Sequence, residues 1–208
     1  MGPPILDASD PRALRQAAAA VHRGELIVFP TDTVYGIGAG IDHAAGLAAL
    51  FRAKARPKRL ALPILVPTVE QATSVGRLED SSLRLARAFW PGPLTIVVTR
   101  AEGFVADLGG DGETVGLRMP DHPAALALLA ETGPLATSSA NRSGEPTPRT
   151  VEAVAALFGP AVALCLDGGP STEELGSTVV RVEGASIEIL RRGALGEDRI
   201  RAALAAGG

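Results

Sequence analysis

Short apolar runs closed by proline or glycine alternate with helix-length segments along most of this chain, and that alternation limits its fold more than any other feature. Leu26-Ile27-Val28-Phe29 is stopped by Pro30, and Pro63-Ile64-Leu65-Val66 is opened by a proline. Residues 94–99 follow the rigid turn Pro91-Gly92-Pro93, and residues 115–119 end at Pro120. Between them lie segments with helix-start chemistry: Asp10-Pro11 before residues 12–22, Asp42 before a helix to about Arg52, the capping box Thr68-Val69-Glu70-Gln71, Asp80 or Ser81 before Phe89-Trp90, and Thr150 before Phe158. His122 to Thr132 and residues 197–206 also read as helices, and Leu135-Ala136-Thr137 as a short strand. Strands separated by helices early, then apolar runs at 161–166, 178–183 and 186–191, predict a mixed α/β sheet. Residues 101–114, rich in Gly and Asp, read as a mobile loop. No internal boundary divides residues 1–208, so one domain is expected.

With 46% hydrophobic, 21% charged and only 3% aromatic residues, the core must be aliphatic. The net charge of −3 argues against bulk nucleic-acid affinity, leaving at most a local basic patch. Cys165 lies in the run Ala161-Val162-Ala163-Leu164-Cys165-Leu166 and reads as a buried strand thiol. A single cysteine, no signal-like start and no membrane-length apolar run give a cytoplasmic expectation.

The candidate chemistry lies in polar segments at the strand ends, where ligands of open α/β sheets gather. Lys54-Ala55-Arg56-Pro57-Lys58-Arg59 carries both lysines of a chain whose other 18 basic residues are arginine. A compact ammonium and a planar guanidinium do not interchange at a phosphate or carboxylate site. The turn at Thr31, Arg118, and the loop from Thr137 to Thr147 are the other three segments. On the residues alone each has a plainer alternative: a solvated basic turn, a capped loop, an Arg118–Asp121 pair, or a Ser/Thr loop that satisfies its own backbone. No Gly-x-x-x-x-Gly-Lys loop occurs, Gly36-Ile37-Gly38-Ala39-Gly40-Ile41 misses the dinucleotide fingerprint, and His22, His43 and His122 have no metal-ligand spacing. His22 and His43 read as surface residues and His122 as a helix-start residue.

Taken together, these segments resemble one family in order. Phe29-Pro30-Thr31-Asp32-Thr33-Val34-Tyr35-Gly36, Lys54-Ala55-Arg56-Pro57, Trp90-Pro91-Gly92-Pro93-Leu94-Thr95, Val115-Gly116-Leu117-Arg118-Met119-Pro120, Ser138-Ser139-Ala140-Asn141-Arg142-Ser143-Gly144, Gly176-Ser177-Thr178 and Leu190-Arg191-Arg192-Gly193 are similar to the motifs of the YrdC-like threonylcarbamoyl-AMP synthases, over roughly residues 11–195. The resemblance implies a twisted mixed parallel/antiparallel sheet flanked by helices, with a concave ligand-binding face and no added C-terminal domain. It implies synthesis of L-threonylcarbamoyl-AMP from L-threonine, bicarbonate or CO2 and ATP, with release of pyrophosphate. The product serves threonylcarbamoyladenosine modification of tRNA. Mg2+ would accompany ATP without a dedicated protein metal site, and downstream threonylcarbamoyl-transfer proteins would be partners.

By position, the resemblance makes Lys54 and Arg56 catalytic cations on phosphate or carbamate. It places Thr31, Arg118, Thr137, Ser177 and Thr178 on threonine, with Arg118 pairing the threonine carboxylate. Ser139, Asn141, Thr147 and Arg191 join Lys54 and Arg56 on ATP, and Ser139 and Asn141 also touch the substrate. Lys58 has no counterpart. Pro67 stands near a position where many members have histidine, Gly176 replaces a common acidic residue, and Arg192 a common proline. An alternative is the YciO-like branch of the same fold, binding double-stranded RNA or ribosomes. A related carbamoyl-adenylate chemistry, as in hydrogenase-maturation proteins, ranks last because their added segments are absent.

Overall fold

The computed structural model describes residues 2–173, 175–184 and 186–205. Its elements run β1 (Ile5–Asp7), α1 (Pro11–His22), β2 (Ile27–Phe29), β3 (Gly36–Gly40), α2 (Ala44–Lys54), β4 (Ile64–Leu65), α3 (Val69–Thr73), α4 (Asp80–Phe89), β5 (Leu94–Thr99), β6 (Thr114–Arg118), α5 (Pro123–Thr132), β7 (Leu135–Ser139), α6 (Val151–Phe158), β8 (Leu164–Asp167), β9 (Thr178–Glu183), β10 (Ser186–Arg191) and α7 (Glu197–Ala205). Among the described residues the strands form one sheet in the order β1-β8-β2-β3-β7-β4-β6-β5-β9-β10. β8 lies parallel to β1 and β2, β4 to β6, and β5 to β9, while β2–β3, β3–β7, β4–β7, β5–β6 and β9–β10 are antiparallel. The expected mixed sheet is therefore present.

Strand alternation divides the core into two layers. Ile27, Phe29, Leu135, Leu164 and Leu166 face α1 and α5, whose alanines and leucines pack against them. Val28, Ala136 and Cys165 point the other way, into a larger layer built with α2, α4 and α6. Cys165 is fully buried, as its sequence context requires, and burial pushes its thiol up to about 12. Helices α1 and α5 cover the β1–β8–β2 end of their face and reach Leu135 of β7 and Leu65 of β4. Beyond them a concave floor is left open, with Gly36 in its lining.

The structure corrects several local expectations. Gly36–Gly40 is a central strand, because β2 and β7 pair with it on both sides. A Cβ at Gly38 would lie 3.1 Å from Phe29 and 3.2 Å from Thr137, so packing between neighbours, not turn chemistry, explains the glycine. The N-cap of α2 is His43, not Asp42, and makes no side-chain cap bond. The N-cap of α4 is Glu79, with Asp80 inside the helix. Asp10, Thr68 and Thr150 do cap their helices through side-chain oxygens. The 101–114 segment is irregular up to β6 but tied down: Leu108 is buried, its carbonyl accepts from Leu62, and Gly110 donates to the Lys58 carbonyl. Helix α2 extends to Lys54, which places that lysine in its last turn, before the left-handed cap Ala55.

Candidate active site

A cavity of about 260 Å³ opens on the bare part of the α1/α5 face. Thr31, Arg56, Arg118, Thr137, Ser139, Thr147, Ser177 and Arg191 line it, so the four polar segments singled out from sequence meet in one place. Thr33, Tyr35, Thr95 and Arg192 line it too, and sequence reasoning had assigned them no role. All four lie within the family-like motifs, and the Thr95 hydroxyl on β5 lies 2.7 Å from that of Ser177, just before β9.

Arg118 ends β6 almost fully buried. Its Nε donates to the Gly92 carbonyl at 3.0 Å, one terminal nitrogen to Thr33 Oγ1 at 3.1 Å and the other to Asp32 Oδ1 at 2.5 Å. Its ion-pair partner is thus Asp32, from the Thr31 turn, not the neighbouring Asp121. The turn after α4 is shaped for this: Gly92 also donates to the Met119 carbonyl, and Trp90 Nε1 donates to the Leu94 carbonyl. Three of the five guanidinium N–H groups are engaged, which leaves donors for a ligand.

Arg56 and Arg191 are braced differently. Arg56 donates to the Leu60 and Ala61 carbonyls at 2.9 and 2.7 Å. Arg191 donates to the Ser177 carbonyl at 3.2 and 2.7 Å and to the Ser177 hydroxyl at 3.1 Å. Neither has a carboxylate partner among the described residues. Burial lowers the pKa of both and, for Arg56, so does the proximity of Arg191. Three guanidiniums with one carboxylate leave uncompensated positive charge around a small cavity, which is an anion site.

Three of the expected residues stand behind the cavity wall. Lys54 is 1% exposed, and Asn141 is also buried. Thr178 is buried, with its hydroxyl donating to the Leu195 carbonyl at 2.6 Å and accepting from the Leu195 N–H. Lys58 lies away from the site, paired with Asp107 at 2.6 Å and stacked over Phe51. A larger open groove of about 760 Å³ runs beside β1 and the start of α5, but it carries Asp7, Asp167 and His122 and no Lys or Arg, so it lacks the charge to hold an anion.

Gly193 fixes the far wall. A Cβ there would lie 2.3 Å from the Gly176 carbonyl oxygen and 2.4 Å from the Ser177 carbonyl carbon. Gly193→Ala is expected to push this backbone away, with it the oxygens that brace Arg191, at a cost of about 1–3 kcal/mol. Chemical denaturation together with ligand titration checks this; wild-type stability in the variant would refute it.

Lys54 also makes stability pH-dependent. Burial, with Arg56 nearby, pushes its pKa down to about 7 from 10.5, while three oxygens on the ammonium work the other way. The unfolded chain then binds this proton more tightly than the folded one above pH 7, so stability climbs with pH there. Buried Cys165, pushed up to about 12, offsets the trend above about pH 9, and Tyr35, also pushed up to about 12, reverses it above about pH 10. The denaturation midpoint is expected to rise from about pH 7 to 9 and to flatten in Lys54→Met. The same slope in both proteins would contradict this.

An open mixed sheet whose bare face carries a cation-lined cavity defines an α/β protein for anionic ligands. The Sua5/YciO/YrdC family model, described as "Telomere recombination", matches residues 19–193. This chain belongs to that family. It is 44% identical over 201 residues to the "Putative threonylcarbamoyl-AMP synthase" of Mycobacterium tuberculosis strain H37Rv, covering 93% of this chain and 92% of that one. It is 35% identical to the "Threonylcarbamoyl-AMP synthase" of Bacillus subtilis strain 168, over 96% of this chain and 58% of the relative. Among solved structures, Pyrococcus abyssi Sua5 complexed with L-threonine superposes with a TM-score of 0.90 at 34% identity, covering 96% of this chain and 60% of that one. Escherichia coli YciO superposes with a TM-score of 0.85 at 22% identity, covering 95% and 97%. The last likeness speaks to the fold alone.

Proposed function

We infer that this chain is a threonylcarbamoyl-AMP synthase, joining L-threonine, ATP and bicarbonate, which gives CO2 by losing water, and releasing pyrophosphate. The convergence of Arg56, Arg118 and Arg191 on one cavity carries the reading within the molecule. The reaction brings a carboxylated amino acid against a triphosphate, so two anions must approach and charge must be held on the leaving pyrophosphate. Relatives named for this activity, and a threonine-bound relative of the same fold, support it.

The free donors of Arg118 would take the threonine carboxylate, with Thr31, Thr137 and Ser177 around the rest of the amino acid. The threonine nitrogen acquires CO2 and loses a proton. A carbamate oxygen then attacks the α-phosphorus, a P–O bond forms, and the bond to pyrophosphate breaks. Arg56 and Arg191 would hold the phosphate oxygens, with Ser139 and Thr147 beside them, and Mg2+ would enter with ATP as part of the substrate. Hand-over to tRNA threonylcarbamoyl-transfer proteins, and any contact with tRNA or double-stranded RNA, belong to this proposal too. No helix among the described residues is long and apolar enough to cross a membrane.

The test is incubation of purified protein with L-threonine, bicarbonate and MgATP, followed by mass detection of threonylcarbamoyl-AMP and assay of pyrophosphate. Formation of both, dependent on all three substrates, is expected. Absence of the adenylate overturns the reading. Salt-sensitive RNA binding without nucleotidyl transfer would instead favour an RNA-binding role.

A further inference from the structure

Tyr35 stands just before β3, 1% exposed, and its phenol reaches past the end of β2 to the turn that follows β8. Its hydroxyl donates to the Gly169 carbonyl at 2.7 Å, accepts from the Gly168 N–H at 3.1 Å and lies 3.3 Å from Asp167 Oδ1. Asp167 Oδ1 itself accepts from the Gly169 N–H at 2.9 Å, which closes the turn around the phenol. A Cβ on Gly168 would lie 2.6 Å from Pro30 Cγ, so the chain passes close against the end of β2. Burial pushes the phenol up to about 12, so it keeps its proton and remains a donor. The proposed reaction makes no use of this hydroxyl.

The chain that leaves this turn leads to the cavity. The connection from Asp167 to Thr178 runs from the second strand in the sheet order to the ninth. Seven strand spacings are about 34 Å along a flat sheet, and eleven residue steps reach at most about 36–40 Å. Its slack comes from the concavity of the sheet. Midway, Ser171 donates its N–H to the Arg149 carbonyl at 2.8 Å and accepts from Arg149 Nε at 3.2 Å. Arg149 is two residues from Thr147, which lines the cavity. At the far end Leu175, Gly176 and Ser177 line it too. There the Gly176 carbonyl accepts from the Ala194 N–H at 3.0 Å, and Ser177 braces Arg191. The connection is thus a cross-tie between the two loops that carry Thr147 and Ser177.

We propose that Tyr35 is a positioning residue: its hydroxyl anchors the β8–β9 connection, and through that short tie sets Thr147, Ser177 and Arg191 around the cavity. Its effect on turnover rests on the synthase reading; its effect on the backbone does not. A phenol suits the task because its tip both donates and accepts at the end of a rigid ring. Gly168 and Gly169 are exposed, so water can take over their polar groups when the hydroxyl is removed. Removal therefore frees the tie without unfolding the chain.

The test compares wild type with Tyr35→Phe, with an insertion of two glycines between Gly169 and Pro170, and with the two combined. Amide hydrogen exchange is read beside kcat and KM for ATP. In Tyr35→Phe the Gly168 amide, which loses its acceptor, is expected to exchange about tenfold faster or more, and the distant Ser171 and Ala194 amides about threefold faster or more. The insertion, which slackens the tie with the anchor intact, is expected to loosen Ser171 and Ala194 while Gly168 exchanges as in wild type. Each change is expected to lower kcat/KM by about tenfold, mainly as a higher KM for ATP, and the combination to be no worse than the insertion alone, because one tie is lost only once. Unchanged exchange at Ala194, an unchanged kcat/KM, a loss confined to kcat, or multiplying losses in the combination would overturn the proposal. Should Tyr35→Phe fail to fold, the insertion decides: wild-type exchange at Ser171 and Ala194 refutes the tie. A wild-type protein that makes no threonylcarbamoyl-AMP would sink the synthase reading while leaving the exchange result to judge the anchor.

Discussion

Arg191→Met and Arg56→Met are each expected to lower the rate of threonylcarbamoyl-AMP formation by about 10²–10³-fold, the loss typical of removing one fixed electrostatic donor from a developing charge. Their stability should hold or rise slightly. Each guanidinium is partly buried, donates only to neutral oxygens and has no carboxylate partner among the described residues. Burying charge without a counter-charge costs free energy, and that cost is offset only when an anion arrives. Pyrophosphate release gives the rates and denaturant midpoints give the stabilities. ATP should protect wild type more than either variant, since a ligand stabilises in proportion to its affinity for the folded state. Variants that lose stability but keep their rate would make these arginines structural instead.

Arg118→Met is expected to behave in the opposite way, losing activity and about 3–5 kcal/mol of stability, the cost of breaking a buried ion pair from one side. Asp32, only 12% exposed beside Arg118, would be left charged with no partner, and its Oδ2 already lacks one. The double variant Arg118→Met/Asp32→Asn should recover most of that stability, because the stranded charge is gone. It should recover none of the threonine-dependent turnover, because the carboxylate-binding donors are gone too. Urea denaturation and threonine titration separate the two effects. Equal stability of Arg118→Met and wild type would show that the pair contributes little to the fold.

Much of the fold was legible because it is written locally. Asp10, Thr68 and Thr150 cap helices by side chains that act within three residues. The runs at 94–99 and 178–183 alternate or persist in ways only strands support. Strand β3 was not legible, because Gly36-Ile37-Gly38-Ala39-Gly40 has the composition of a turn. Its strand state is imposed by pairing on both sides, with the preceding strand β2 and with β7, which lies far along the chain. Edge strand β1 is three residues long, below the length at which any period shows.

The site divides along the same line. The sequence by itself determined the cast: a chain of arginines with two lysines, hydroxyl-rich loops, a lone apolar cysteine, and motifs in a family's order. It could not say which charges face each other, because pairing depends on through-space distance. Only the tertiary structure set Asp32, not Asp121, against Arg118. Only it turned Lys54 inward onto three backbone and amide oxygens while leaving Arg56, two residues on, facing the cavity. The physical reason is the left-handed Ala55 between them, with φ of 49°, which ends α2 and sends the chain in a new direction. Two cations only two residues apart thereby come to stand on opposite sides of the cavity wall.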